Sequence, residues 1–278
     1  MRIRKPFTQE EKTIICSLYS LGHTPSDILR LVPSLSYRKV QTLYPVLEKA
    51  GLHCKKSSFD RRRFSVNDFY FDCIDNEHKA YWLGLLFADG FIVNSGHCKN
   101  TVGISLKYSD RYLLEVLKKD LGSSYEIHDY YSTGYSNTFY SKFSFVSSRI
   151  YSKFVDLGFK NKSSVGVLPV SFVPDYLVNH FIRGYFDGNG SLKKACGSHL
   201  FSLSFCGTLE TIKIIKNILG KDNLKISCRF PDRNDKNYSV DICEDKEVYR
   251  ICSWVYKDST VFLKRKYNRF LCYKGKYQ

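Results

Sequence analysis

Two short segments of the sequence combine small residues with acids or amides at a spacing that suits a metal site between helices. The segments are WLGLLFADG (82–90) and FIRGYFDGNG (181–190), and each reads as an apolar helix that ends in polar residues. Small residues four positions apart share one helix face, and they let two helix backbones approach closely. We therefore predict that the two helices pack on each other through the interface residues Gly84, Ala88, Gly184 and Gly188.

The last polar residue of each segment is the candidate metal ligand. Asp89 and Asn189 would lie at adjacent helix C-termini, where the helix dipole favours cations. Gly90 and Gly190 are predicted to adopt the left-handed backbone that commonly ends a helix. Oxygen ligands suit hard divalent cations, and the carboxylate of Asp89 also supplies charge, whereas the amide of Asn189 does not. Asp187 is a secondary acid, which would reach the site only if the helix end unwinds.

Each segment opens one of two similar halves, and both halves have the predicted order αββαββα. Such a mixture of helices and antiparallel strands indicates an α+β fold, not a doubly wound parallel sheet. The boundaries are a basic linker at 55–67, a first half at 68–174 and a second half at 175–278. After the opening helices, we predict elements near 91–93, 101–107, 111–122, 125–131, 138–146 and 147–158, then near 191–195, 199–206, 208–220, 224–230, 237–242 and 245–256.

A small all-α unit is predicted at residues 1–54, ahead of the linker. Helical periodicity runs over residues 9–21, Thr24 can cap a second helix, and Ser36 can cap a third that extends through Leu47. Three short helices with tight turns indicate a helix-turn-helix, which is a common DNA-binding motif. A three-helix packing module without DNA contact is the alternative.

In the helix-turn-helix interpretation, the third helix reads DNA. Its first turn would present Arg38, Lys39 and Gln41 to the major groove, as a recognition helix does. Pro45 lies within the predicted helix and should shorten or kink it.

The charge balance restricts the partners that the chain can have. The sequence carries 43 Lys and Arg against 27 Asp and Glu, a formal net charge of +16, and nucleic acid is the usual polyanion that relieves such an excess. No apolar run reaches the ~20 residues that span a bilayer, and the N-terminus lacks the apolar stretch of a signal peptide. The ten cysteines form no C-x-x-C pair. We expect an intracellular protein of a reducing compartment, cytoplasmic or nucleoid-associated, with no membrane partner.

The two glycine-containing segments resemble the paired LAGLIDADG motifs of single-chain homing endonucleases. The lead-in to each segment and the late FLKRKY (262–267) resemble the same family, so that the resemblance covers about residues 68–273. One such helix is weak evidence, but two at matching places in a duplicated pattern are strong evidence. The resemblance implies a monomer with two pseudo-symmetric halves that form a DNA-binding saddle over a long double-stranded target. It also implies site-specific phosphodiester hydrolysis with Mg²⁺ or Mn²⁺.

The same resemblance implies roles for individual residues. Asp89 and Asn189 would be the catalytic metal ligands, and Lys162 and Lys266 would stabilise charge near the scissile phosphates. A solvated surface lysine is the alternative interpretation of Lys162 and Lys266. Because Asn189 stands where the family has a second carboxylate, we expect strand-asymmetric cleavage, nicking or loss of cleavage.

Strand alternation suggests further DNA contacts. Tyr140 and Lys142 share a strand face opposite that of Phe143, which suits groove and phosphate contacts. Arg229 and Arg233 are the corresponding candidates in the second half, although any of these side chains could simply face solvent. Two other functions remain open on the same scaffold. One is a cleavage-deficient DNA-binding regulator, and the other is an intron RNA maturase.

Overall fold

The computed structural model describes residues 6–21, 23–52, 64–96, 98–133, 137–159, 167–195, 199–220, 225–228 and 237–277. The chain divides into unit 1 (Met1–Arg63) and unit 2 (Phe64–Gln278). Among the described residues, no helix has both the length and the hydropathy that a membrane span requires. The described cysteines are free thiols, namely Cys16, Cys73, Cys98, Cys206, Cys228, Cys243, Cys252 and Cys272.

Unit 1 consists of short helices around a small apolar core. Its helices are α1 (Gln9–Ser20), α2 (Pro25–Leu31) and α3 (Tyr44–Lys49), and 3₁₀ turns precede α3. Thr8 and Thr24 each begin a helix with a capping box, in which side chain and backbone satisfy each other's orphan donors. The core comprises Ile15, Ile28, Leu35, Leu43 and Leu47.

The prediction of a third helix beginning at Ser36 is wrong. Ser36 ends a 3₁₀ turn, Lys39 has an extended backbone (φ −93°, ψ 145°), and Gln41 lies in a second 3₁₀ turn. Pro45 occupies the first turn of α3, where its missing N–H costs no hydrogen bond and its fixed φ suits a helix start. Arg38, Lys39 and Gln41 therefore do not open a recognition helix.

Unit 2 contains the same succession of elements twice, followed by a helix that was not predicted. The first succession is α4 (Glu77–Asp89), β1 (Gly90–Ser95), β2 (Cys98–Lys107), α5 (Arg111–Asp120), β3 (Ile127–Ser132), β4 (Thr138–Val146) and α6 (Ser148–Asp156). The second is α7 (Val178–Asn189), β5 (Gly190–Lys194), β6 (Phe201–Gly207), α8 (Leu209–Leu219), β7 (Ile226–Cys228), β8 (Tyr238–Ile242) and α9 (Asp245–Val255), and the added helix is α10 (Lys264–Tyr277).

The strands form two four-stranded antiparallel sheets of identical topology. Their orders are β1-β2-β4-β3 and β5-β6-β8-β7, and each sheet begins at the strand that directly follows α4 or α7. In the first sheet the register aligns Gly90, Ile104, Phe143 and Ile127 across the four strands. The predicted α+β fold with two αββαββα halves is therefore confirmed.

A single hydrophobic core joins the two halves of unit 2. It includes the inner faces of both sheets together with α4 and α7, and every residue of α4 from Ala80 to Ala88 is buried. The end of the predicted linker also belongs to unit 2. The backbone N–H of Ser65 donates to Ser124 Oγ (2.7 Å), and that of Asn67 donates to the carbonyl of Leu121 (2.9 Å).

Helices α4 and α7 cross with their backbones in direct contact. A Cβ on Gly84 would overlap the carbonyl oxygen of Phe181, and a Cβ on Gly184 would overlap the carbonyl oxygen of Tyr81. The two overlaps are reciprocal, as expected of a pseudo-twofold axis that passes between the helices. Ala88 and Gly188 continue the same contact toward the helix C-termini.

The prediction that Gly90 and Gly190 adopt a left-handed backbone is wrong. Both are extended, with φ of −72° and −106°, and each is the first residue of a strand. Glycine is required for a different reason, because a Cβ on Gly90 would overlap the carbonyl of Leu86 and one on Gly190 would overlap Phe186. Each helix thus passes into a strand without an intervening turn.

The helix crossing predicts a sharp response to added methyl groups. Gly84→Ala and Gly184→Ala should each lower the free energy of unfolding by about 3 kcal/mol, since the overlapped atoms are backbone atoms that move little. Urea unfolding of the full chain measures this. Gly275→Ala is the control, because a Cβ at that position in α10 meets nothing within 4 Å. Equal stability of the Gly84 and Gly275 variants would contradict the close crossing.

A histidine at the start of α4 predicts a pH dependence of stability. Asp120 Oδ2 lies 2.6 Å from His78 Nδ1, and this hydrogen bond raises the pKa of His78 above 6.5. The added stability is therefore complete below pH 6.5 and is lost as pH rises through the pKa of the folded protein. Unfolding free energies measured from pH 5 to 9 should show this loss in wild type. They should show it reduced in His78→Gln, and an unchanged profile would refute the assignment.

Candidate active site

The C-termini of α4 and α7 meet at a joint formed by Asp89 and Asn189, both half-buried. Asn189 Nδ2 donates to the carbonyl of Ala88 (3.2 Å) and to the hydroxyl of Tyr185 (3.5 Å). Asp89 Oδ2 would lie 3.3 Å from a Cβ placed on Gly188. The two candidate ligands therefore come from different halves of the chain and meet across the small residues Ala88 and Gly188.

Tyr185 is a member of this joint that sequence reasoning missed. Its hydroxyl donates to the carbonyl of Cys206 (2.6 Å) on β6 and accepts from Asn189. Burial raises the pKa of Tyr185, and the nearby Asp89 acts in the same direction, so the phenol stays neutral. Its position directly after Gly184 in the motif was the available signal, but an aromatic residue there reads equally well as core.

Asp187 does not replace the charge that Asn189 lacks. Helix α7 stays regular through Asn189, and Asp187 turns into the protein interior, where it is 2% exposed. Its Oδ2 accepts from the Tyr81 hydroxyl (2.9 Å) and from the backbone N–H of Leu263 (2.7 Å). Burial raises the pKa of Asp187, against the lowering effect of nearby Lys266. This acid links α7 to α4 and to the segment before α10.

Lys266 caps the end of α7. It is 3% exposed, and its Nζ donates to the carbonyls of Phe186, Asp187 (2.9 Å) and Gly190 (2.7 Å). A lysine at a helix C-terminus satisfies carbonyls that have no partner within the helix. Burial lowers the pKa of Lys266 to about 8, although the Asp187 carboxylate opposes this effect. The ammonium group thus holds the backbone that carries Asn189.

A buried salt bridge ties the start of α4 to α7. Arg183 is completely buried, and it donates to Glu77 Oε1 (2.6 Å) and to the carbonyls of Val261 (3.0 Å) and Val255 (3.1 Å). Glu77 in turn accepts from the backbone N–H of Thr260 (2.6 Å). No local spacing in the sequence signals these contacts, because the partners are far apart along the chain.

The predicted DNA contacts have mixed outcomes. Tyr140 and Lys142 lie on the face of the first sheet opposite that of buried Phe143, where the Tyr140 ring stacks on Tyr130 (5.9 Å) and Lys142 Nζ lies 4.8 Å from the Phe91 ring. In unit 1, Lys39 and Gln41 are exposed, whereas Arg38 is 8% exposed in its side chain and packs on Phe7. Three predicted residues, Lys162, Arg229 and Arg233, lie outside the described residues.

The donor set at the joint suits a hard cation that also binds a phosphate. Among the described residues, no cluster of three or more His, Cys, Asp or Glu side chains could hold a metal by itself. The joint offers one carboxylate, on Asp89, and one amide oxygen, on Asn189. Mg²⁺ is commonly held by one or two carboxylates, with waters and substrate phosphate oxygens completing its shell. The residues present therefore fit such an ion when a phosphate is bound.

No protein-family model matches the sequence, and no curated protein matches it. Solved structures do resemble the fold. The I-LtrWI LAGLIDADG homing endonuclease bound to target DNA is 16% identical, over 72% of this chain and 91% of that chain, with a TM-score of 0.42. The LAGLIDADG homing endonuclease I-GzeII in complex with its DNA target is 14% identical, over 73% and 89%, with a TM-score of 0.46. I-DmoI in complex with DNA and Mn is 15% identical, over 66% and 97%, with a TM-score of 0.44.

The cap on α7 predicts that Lys266 is needed for stability. Lys266→Met should lower the free energy of unfolding by at least about 3 kcal/mol, because it leaves three carbonyls and the buried Asp187 without their cation. Urea denaturation is the measurement, with the exposed Lys274→Met in α10 as control. A Lys266 variant as stable as the control would contradict the role of the ammonium group as a cap on α7.

Proposed function

We propose that this protein is a site-specific DNA endonuclease that acts as a monomer and requires Mg²⁺ or Mn²⁺. The observation that carries the proposal is the joint at which Asp89 and Asn189, from two repeated halves, meet at the ends of crossing helices. The presence of two LAGLIDADG-like motifs in one chain also supports it, because Asp89 and Asn189 are the last polar residues of those two motifs. The net charge of +16 supports a polyanionic substrate.

The sheet faces away from the core would bind the DNA grooves. In the first sheet this face carries Lys107, Tyr130, Tyr140 and Lys142, which are basic and aromatic side chains suited to phosphates and base edges. In the second sheet, strand β5 presents Lys193 toward the same kind of face, opposite Ser202. The open faces thus offer cations and hydroxyl groups, while the opposite faces form the core.

At the joint, Asp89 would bind the divalent ion and a phosphate oxygen would complete its shell. Such an ion would polarise the scissile phosphate and lower the pKa of a water molecule that attacks it. Asn189 would contribute an amide oxygen without charge, and Lys266 would hold the end of α7 so that this amide stays in place. Since the first half supplies a carboxylate and the second half an amide, we propose that one strand is cut faster than the other.

Plasmid cleavage tests the proposal. The substrate is supercoiled plasmid carrying the sequences that flank the gene, joined without the gene, in Mg²⁺ or Mn²⁺. Wild type should release nicked circles first. Asp89→Asn should reduce the rate at least ~100-fold, since it removes the charged ligand of the metal ion. Asn189→Asp should add the second cut and give linear plasmid. Gel electrophoresis separates the three forms.

The matched control is Asp156→Asn, an exposed acid at the end of helix α6 in the same half. It should cleave at the wild-type rate. A cleavage-deficient DNA-binding regulator is the second candidate, and the neutral Asn189 is the observation that favours it. Tight binding of the flanking sequence with no cleavage by wild type or Asn189→Asp would support the regulator and refute the endonuclease.

A further inference from the structure

Unit 1 has an open groove between α1 and α3 that the proposed active site does not use. Its volume is about 760 Å³. One face of α1 forms its first wall, with side chains three and four positions apart. These side chains are polar or small, namely Gln9, Lys12, Thr13, Cys16 and Ser17. Thr13, Cys16 and Ser17 are small, so an occupant of the groove can approach this part of α1 closely.

The charges that line the groove are both positive. Lys12 projects from α1 and Lys49 from the last turn of α3, and both are exposed. Among the described residues that line the groove, none is acidic. The acids of α1 do not line the groove. The carboxylate of Glu11 is held at the helix start, where it accepts from the backbone N–H of Thr8 (2.9 Å). The charged side chains that line the groove therefore favour an anion there over a cation.

The rest of the groove lining includes apolar side chains, and Arg38 holds one of them, Phe7, in place. Phe7, and Pro45 and Val46 of α3, contribute apolar surface to its lining. The Arg38 guanidinium lies 4.0 Å from the centroid of the Phe7 ring, and its Nη2 donates to the carbonyl of Pro6 (3.4 Å). Arg38 thus holds the aromatic wall of the groove, which explains why it is not available to read bases.

We propose that this groove of unit 1 binds the sugar-phosphate backbone of a DNA strand without reading its sequence. A nucleic acid strand alternates anionic phosphates with largely apolar sugars, which matches Lys12 and Lys49 beside Phe7, Pro45 and Val46. Phosphate contacts fix register but carry no sequence information. The choice of DNA as the anion rests on the proposed function, whereas the groove and its charges are properties of unit 1 alone.

Salt dependence of binding tests the proposal on the full chain. The probe is a fluorescein-labelled duplex of arbitrary sequence, titrated at several NaCl concentrations. Lys12→Gln/Lys49→Gln should flatten the slope of log K against log salt by about 0.9 for each phosphate that the variant no longer neutralises. The preference for target over arbitrary DNA should not change. Arg30→Gln is the control, because the side chain of Arg30 is 79% exposed in unit 1 but does not line the groove.

A cysteine footprint gives a second measurement that needs no variant. Cys16 lines the groove, so bound DNA should slow its alkylation by iodoacetamide. Cys73, an exposed thiol in unit 2, is the reference. Peptide mass spectrometry measures the rate at each cysteine with and without the duplex. Unchanged alkylation of Cys16 on saturation with DNA would overturn the proposal.

The outcomes separate this inference from the proposed function. The groove proposal would be overturned if the double variant Lys12→Gln/Lys49→Gln showed the wild-type slope of log K against log salt while Lys142→Gln on the first sheet weakened binding. The proposed endonuclease function would not be affected by that result. An equal effect of Arg30→Gln would also overturn the groove proposal, because the loss of any exposed cation of unit 1 would then have the same effect. Absence of salt-dependent binding by wild type would remove DNA as the partner and defeat the proposed function as well.

Discussion

The structure of unit 2 depends on the backbone contact between α4 and α7. Because Gly84 and Gly184 have no side chains, the two helices approach until each glycine touches the carbonyl of the other helix. Two side-chain hydrogen bonds between the helices require this distance. The Asn189 amide reaches the Ala88 carbonyl across it, and the Tyr81 hydroxyl reaches Asp187 across it. A wider crossing would separate the candidate ligands and open the core shared by both halves.

The two helix ends are supported in different ways, although the motifs look alike. Phe87 occupies the position in the first motif that Asp187 occupies in the second. Phe87 packs on the rings of Phe154 (5.9 Å) and Phe159 (5.1 Å), so apolar burial secures the end of α4. Asp187 and Lys266 secure the end of α7 with hydrogen bonds and charge. The second half thus carries a buried acid and a buried base, yet presents a neutral amide at the joint itself.

Sequence predicted the parts of the fold that are encoded by local periodicity. The alternation around Phe143 identified the core face of β4, and the small residues of both motifs identified the helix crossing. The missed features depend on distant partners. Ser36 resembles a helix cap, but the stacking of Arg38 on Phe7 and the ring of Pro45 place the helix start later. The resemblance predicts Lys266 near the scissile phosphates, with a solvated surface lysine as the alternative. Neither interpretation includes the cap on α7, because the carbonyl partners of Lys266 lie far from it in the sequence.

Helix α10 was missed for a related reason, since its sequence is strongly polar and its apolar positions are few. Phe270 and Tyr273 are buried, and the Tyr273 ring lies 4.8 Å from Phe201 on β6. Such a helix is stable only when packed against the second sheet, so its own periodicity gives a weak signal. The buried Lys266 near its start brings the helix to the end of α7.

The direct passage from helix to strand at Gly90 and Gly190 has a mechanical consequence. A loop would absorb small movements of a sheet. Here a single peptide bond joins the first strand of each sheet to the candidate ligand. A shift of the first residue of β1 therefore displaces Asp89, and a shift of the first residue of β5 displaces Asn189. The positions of the two sheets and the spacing of these two side chains are therefore mechanically coupled.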